Sequence, residues 1–209
     1  ETFKFSYGKF ITLNSKKVWA QRLSYVGELG WELYIPTNDA KKIYKLIIEV
    51  GKKYNLCHAG VHAMDILRME KGYLHWGHDI SPEENQYEAG LSFAISFKKD
   101  VEFIGKESLK KIKEKKLKKK FVILSLKTSG PGAPLILHDE PIYYDGKIVG
   151  RTTSGNYSFN FKKNITFGYI NFDTNIGEKN LEIEIAKKKY VANLEPKPLH
   201  DSENKIMKF

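Results

Sequence analysis

Ser24-Tyr25-Val26-Gly27-Glu28-Leu29-Gly30-Trp31-Glu32-Leu33-Tyr34-Ile35-Pro36 sets two carboxylates and two phenols among apolar residues and glycines. From Trp31 the alternation of Trp31, Leu33 and Ile35 with Glu32 and Tyr34 predicts a β-strand with one apolar face. Glu32 and Tyr34 then stand side by side on the other face, an acceptor and an aromatic donor facing the same space. The plain alternative is a half-exposed strand whose polar face meets water. Pro36 ends the strand.

Outward from that strand the pattern is mixed α and β. Upstream, Phe3 to Asn14 and Lys17 to Arg22 read as strands around the turn Asn14-Ser15-Lys16. Downstream, Thr37-Asn38-Asp39 supplies N-cap chemistry, and Ala40, Ile43, Leu46, Ile47 and Val50 recur at helical spacing until Gly51. A second helix is expected from Val61 to Glu70, stopping at Gly72, which gives an α+β unit to about Ser96. A short helix from Lys106 to about Lys116 follows as a connector. Beyond Lys120 the expected strands are 121–126, 140–144, 147–153, 166–172, 181–185 and 189–194. Turn signals at Ser129-Gly130-Pro131-Gly132, Asp145-Gly146, Ser154-Gly155-Asn156 and Gly177 separate them. Six short strands at this rhythm favour a small antiparallel barrel over an open sheet. The expected fold class is α+β, a ferredoxin-like unit over residues 1–117 followed by a β-barrel domain over 118–209.

The chain has 209 residues and a formal charge of +10, enough length for a real core. The charge suggests a phosphate partner, but Arg22, Arg68 and Arg151 are the only arginines, and base recognition leans on the guanidinium fork. Lysine excess without that fork argues against nucleic acid. The run from Lys110 to Lys120 reads as an exposed helix and turn with Leu109, Ile112 and Leu117 inward. One cysteine, Cys57, allows no intrachain disulfide, and no run of about 18 apolar residues suggests a membrane span. A reducing, cytoplasmic setting is expected. The opening Glu1-Thr2-Phe3, without Met or leader, reads as part of something longer.

Other chemistry is weakly supported. His58 and His62, and His75 and His78, are spaced as metal ligands can be, but no carboxylate completes a zinc pattern and Gly77 breaks the second pair. His75 and His78 are expected at a surface or pocket rim beside Trp76. Cys57 lacks a reactive signature and is expected to be a small buried thiol. Ser154, placed at a strand-to-turn transition, has no nearby base and reads as a turn-forming hydroxyl. Arg68 and Glu70 lie two apart on a helix, so each should anchor a different neighbour. No Gly-x-Gly-x-x-Gly offers a dinucleotide site.

A second block, Met69-Glu70-Lys71-Gly72-Tyr73-Leu74-His75-Trp76-Gly77-His78-Asp79-Ile80, is followed by Glu88-Ala89-Gly90-Leu91-Ser92-Phe93. With the first stretch it resembles the tetrahydrofolate-binding domain of the glycine-cleavage T-protein (aminomethyltransferase) and of the C-terminal part of dimethylglycine and sarcosine dehydrogenases. Phe103-Ile104-Gly105-Lys106-Glu107-Ser108-Leu109, Glu140-Pro141-Ile142, Gly146-Lys147-Ile148-Val149-Gly150, Thr153-Ser154-Gly155, Gly168-Tyr169-Ile170 and Lys197-Pro198-Leu199-His200-Asp201 fall in the family's order. The resemblance spans roughly Lys9 to Asp201. T-proteins tend to carry Ala-Arg-Asp where this chain has Ala63-Met64-Asp65, and that arginine binds substrate in them. Met64 cannot replace it, and Glu70-Lys71-Gly72-Tyr73 with Trp76-Gly77-His78-Asp79 looks more like the dehydrogenase branch.

The resemblance implies tetrahydrofolate as cofactor, with the positions matching Tyr25, Glu32, Leu33 and Tyr34 in contact with it. Phe93 matches a further aromatic contact position. A reduced pterin presents a donor-rich edge, so Glu32 is its natural acceptor, while Glu28 reads as a turn or solvent carboxylate. The implied function is capture of the one-carbon unit from oxidised dimethylglycine or sarcosine, giving 5,10-methylenetetrahydrofolate. The family's catalytic aspartate and the flavin (FAD) domain lie upstream, so this portion would bind and orient beside its N-terminal half. Part of a glycine-cleavage aminomethyltransferase, or a non-catalytic folate-binding regulator, remains the alternative.

Overall fold

The computed structural model describes residues 4–99, 101–130, 132–177 and 180–207. The opening Glu1-Thr2-Phe3, and Pro131 of the turn expected there, lie outside them. The chain divides into two compact units, Glu1–Tyr73 with His200–Phe209, and Leu74–Leu199.

In the first unit, β1 (Gly8–Leu13) and β2 (Lys16–Gln21) form a hairpin, and β3 (Glu32–Tyr34) adds to β2. Asn14 and Ser15 both take positive φ, 47° and 63°, the geometry that matches hairpin twist. Helix α1 (Thr37–Gly51) starts as expected, but Pro36 occupies its N-cap and no side-chain cap bond forms. The Asp39 amide donates instead to the Pro36 carbonyl at 2.9 Å. Helix α2 (Val61–Glu70) ends where Gly72, at φ 77°, reverses the chain. Gly72 N–H donates to the Met69 carbonyl and Tyr73 N–H to that of Arg68, the paired bonds of a Schellman stop. Arg68, only 1% exposed, binds Asp65 and the Tyr73 carbonyl. Cys57 is exposed, not buried as expected, because the chain between Lys52 and Gly60 runs over the surface.

The second unit holds α3 (Lys106–Glu114) and a closed antiparallel barrel ordered β4-β7-β6-β5-β8-β9. Its strands are β4 (Lys119–Leu126), β5 (Pro141–Tyr144), β6 (Lys147–Ser158), β7 (Lys163–Asn171), β8 (Leu181–Ile185) and β9 (Lys188–Glu195). In β8 buried Leu181, Ile183 and Ile185 alternate with Glu182 and Glu184. They join Val122, Leu124, Ile136, Ile142 and Ile170 in the core, each contributing about 1.5–3 kcal/mol through burial.

Two expectations fail here for physical reasons. Ser154-Gly155-Asn156 is no turn: β6 runs through it, with a register shift between Thr152 and Gly155. A Cβ on Gly155 would approach the Ile136 carbonyl to 2.6 Å, so the glycine serves close packing at a bulge. Ser154 therefore lies within a strand, and its carbonyl accepts from Thr166 at 2.7 Å. The strand expected from residue 121 also begins two residues earlier, inside the lysine run. Helix α3 stops at Glu114, and β4 begins at Lys119, whose ammonium pairs with Glu84.

Candidate functional site

Antiparallel pairing of Gln21 with Glu32 makes residues 22–31 a long hairpin loop. Its neck is tight: a Cβ on Gly30 would lie 2.6 Å from the Leu23 carbonyl. Arg22 is buried and its guanidinium lies 5.8 Å over the Trp31 ring. Where the loop returns to the sheet, Glu32, Leu33 and Tyr34 are all exposed. The Tyr34 hydroxyl donates to Glu32 Oε2 at 2.8 Å, so the two do share a face. That bond, and then the carboxylate's charge, raises the phenol's pKa. Glu32 keeps a second oxygen for further donors, since an ionised carboxylate offers about four acceptor sites.

Tyr25, within the loop, lies nearly parallel to Tyr73, with ring centroids 6.2 Å apart and planes at 14°. Burial, then the Asp201 charge, raises the Tyr73 pKa, and its hydroxyl donates to Met207 Sδ at 3.1 Å. Glu28 Oε1 lies 2.8 Å from His200 Nε2. No sequence spacing announced that pairing. Lys71, expected only as part of a motif, forms a buried ion pair with Asp201, Nζ to Oδ2 3.0 Å. Phe93 belongs to the other compact unit, on a 3₁₀ turn (Ser92–Ala94), with 84% of its surface exposed.

The barrel unit carries its own polar cluster. Asp79, 1% exposed, accepts from Thr153 Oγ1 at 2.5 Å and from the His75 amide at 2.9 Å, and its carbonyl accepts from Tyr169 at 2.8 Å. Burial, then the charges of Glu84, Asp79 and Glu88, pushes the Tyr169 phenol well up. Burial opposes the Glu84 charge, yet bonds from Lys119 and Ser81 win and lower its pKa. A cleft of about 360 Å³ opens here between residues 77–84 and the barrel, and His78 lies at it. The rings of His75 and His78 are 4.6 Å apart. Among the described residues no group of three or more His, Cys, Asp or Glu is arranged to hold a metal. No helix among them is long and apolar enough to cross a membrane.

Two family descriptions match this chain: "GCVT N-terminal domain" over residues 1–99, and "Glycine cleavage T-protein C-terminal barrel domain" over residues 119–201. Human mitochondrial dimethylglycine dehydrogenase is 37% identical over 199 residues, covering 95% of this chain and 23% of that protein. Human mitochondrial sarcosine dehydrogenase is 37% identical over 170 residues, covering 81% of this chain and 18% of that protein. The chain thus spans a quarter or less of these relatives. The crystal structure of an aminomethyltransferase T from Bartonella henselae shares the fold, with a TM-score of 0.83 at 22% identity over 96% of this chain and 54% of that one. The cytoplasmic expectation is overturned by the dehydrogenases, which are mitochondrial proteins. A lone cysteine excludes a disulfide framework without choosing among compartments. The chain belongs to the glycine cleavage T-protein family, carrying its N-terminal-type and barrel domains, and is homologous to the T-protein-like region of dimethylglycine and sarcosine dehydrogenases and aminomethyltransferases.

Proposed function

We propose that this chain is the tetrahydrofolate-binding portion of a dimethylglycine or sarcosine dehydrogenase-like enzyme, and that it presents folate to the one-carbon unit released by oxidation of the N-methyl substrate. The observation that carries the folate reading is the exposed Glu32 carboxylate, steadied by Tyr34 and with acceptor capacity left over. The donor-rich edge of a reduced pterin fits that acceptor, and each charge-assisted bond contributes about 1.5–3 kcal/mol where water is excluded. The flat face of Tyr25 suits the ring, and Leu33 is a further proposed contact. Bound tetrahydrofolate supplies the nucleophilic nitrogens; the side chains here bind and orient. Holding the acceptor near a reactive one-carbon unit is a proximity effect that also limits its loss to water.

The dehydrogenase branch is supported by Met64 in place of the T-protein arginine. Flavin chemistry belongs, in this reading, to an upstream domain, and the N-terminal half of the same enzyme is the partner. The mitochondrial relatives support a mitochondrial setting. We place the boundary between a folate-binding domain (1–117) and the barrel domain (118–209) near Lys118, supported by the gap between the two matched stretches. The test is Glu32→Gln in the full-length enzyme. Tetrahydrofolate affinity, followed by protein fluorescence, is expected to fall about tenfold or more, equivalent to about 1.4 kcal/mol. Unchanged affinity removes Glu32 from the site.

A further inference from the structure

We propose that Lys71, Asp201 and His200 are positioning residues for the folate loop, so that the segment following the barrel is a working part of the binding site. The proposal rests on the folate reading above. Residues 22–31 are supported from one side by the end of α2 and by the segment from His200 to Met207. Gly27, at φ 81°, sits so close to the Lys71 stem that a Cβ would come within 2.7 Å of its Cδ and 3.0 Å of His200 Cδ2. The His200 amide donates to the Glu70 carbonyl at 2.9 Å, and its ring Nε2 lies 2.8 Å from Glu28 Oε1 of the loop. Tyr25 lies against Tyr73, which Met207 engages in turn.

The Lys71 and Asp201 side chains, 1% and 4% exposed, fix this arrangement. Lys71 Nζ donates to the Asp201 carboxylate at 3.0 Å and carbonyl at 2.5 Å, and the amides of Lys205 and Ile206 donate to the same carboxylate. A buried pair of this type adds little net stability compared with apolar packing, and its best-attested use is to specify one arrangement. Specifying the loop matters for binding, because a site held in shape beforehand spends less of its interaction energy on ordering.

The test uses the full-length polypeptide, with KM for tetrahydrofolate, kcat at saturating folate and Tm measured for Asp201→Asn and His200→Gln. The expected result is a KM raised fivefold or more in Asp201→Asn and about threefold in His200→Gln, in each case exceeding any fall in kcat. Those increases should largely vanish in a Tyr25→Ala background, where the loop has no ring left to position. A role confined to stability lowers Tm and the active fraction and leaves KM in place, and that result overturns the proposal. Should Asp201→Asn fail to fold, His200→Gln, which cuts the loop contact at a half-exposed carboxylate, decides alone. Glu32→Gln runs in parallel. If it weakens folate while the positioning variants leave KM unmoved, positioning alone falls. If Glu32→Gln leaves folate binding untouched, the folate reading fails and takes this proposal with it.

Discussion

Asp201 shows how a single carboxylate ties pH to this fold. Burial opposes its charge, but Lys71 and the amides of Lys205 and Ile206 overcome that and hold its pKa below the usual carboxylate range. A depressed folded-state pKa means the unfolded chain binds more protons, so the contribution is present above the ordinary value of about 4 and is lost as pH falls through the folded value. Thermal midpoints measured from pH 7 to pH 3 should therefore fall less steeply below about pH 4 in Asp201→Asn than in the parent. Parallel curves would count against the pair's role. Glu84 shifts in the same direction, so a residual acid slope should survive. The Glu32 and Tyr34 pairing was legible in the sequence because strand residues two apart share a face. The ion pair of Asp201 with Lys71 and the close approach of His200 to Glu28 were not, since they join segments far apart in the chain that only the folded backbone brings together.

At the scale of elements, patterns with a strict period were read closely. β8 stands where its apolar alternation put it, α2 ends just before the Gly72 expected to stop it, and the Asn14-Ser15 turn follows from residues that tolerate positive φ. Misreadings came where one residue type serves two purposes. Ser154-Gly155-Asn156 has turn composition, yet Gly155 is required by a neighbouring carbonyl inside β6. Gly150 is tighter still, with a Cβ placed 1.9 Å from the Tyr169 carbonyl. Gly150→Ala must push β6 from β7, an overpacking cost of about 1–3 kcal/mol. For a chain of this size that is a fall in Tm of roughly 2–12 °C. A thermal melt with an unmoved midpoint would show that the strands yield without cost. β7 illustrates the remaining difficulty. It is buried almost throughout, from Asn164 to Ile170, because the barrel core lies on one face and Phe121 with the Asp79 segment covers the other. A doubly covered strand loses the alternation that marks a half-exposed one.

At the scale of the molecule, an α+β unit precedes a six-stranded antiparallel barrel, and the order of short motifs along the chain was enough to identify the family. Composition was the weaker guide. A charge of +10 invited a phosphate partner that the scarcity of arginine argued against, and one cysteine supported a cytoplasmic expectation that the mitochondrial relatives overturn. The candidate folate residues were legible only through the resemblance, because an exposed Glu and Tyr on a short strand have no chemistry that spacing alone could assign to a pterin. Their proposed role is read out by product partitioning. The full-length enzyme would be turned over with dimethylglycine or sarcosine, and free formaldehyde measured with and without saturating tetrahydrofolate. Folate should suppress formaldehyde release several-fold in the parent and far less in Glu32→Gln; formaldehyde released in the same amount with and without folate would mean that this region does not present folate to the one-carbon unit.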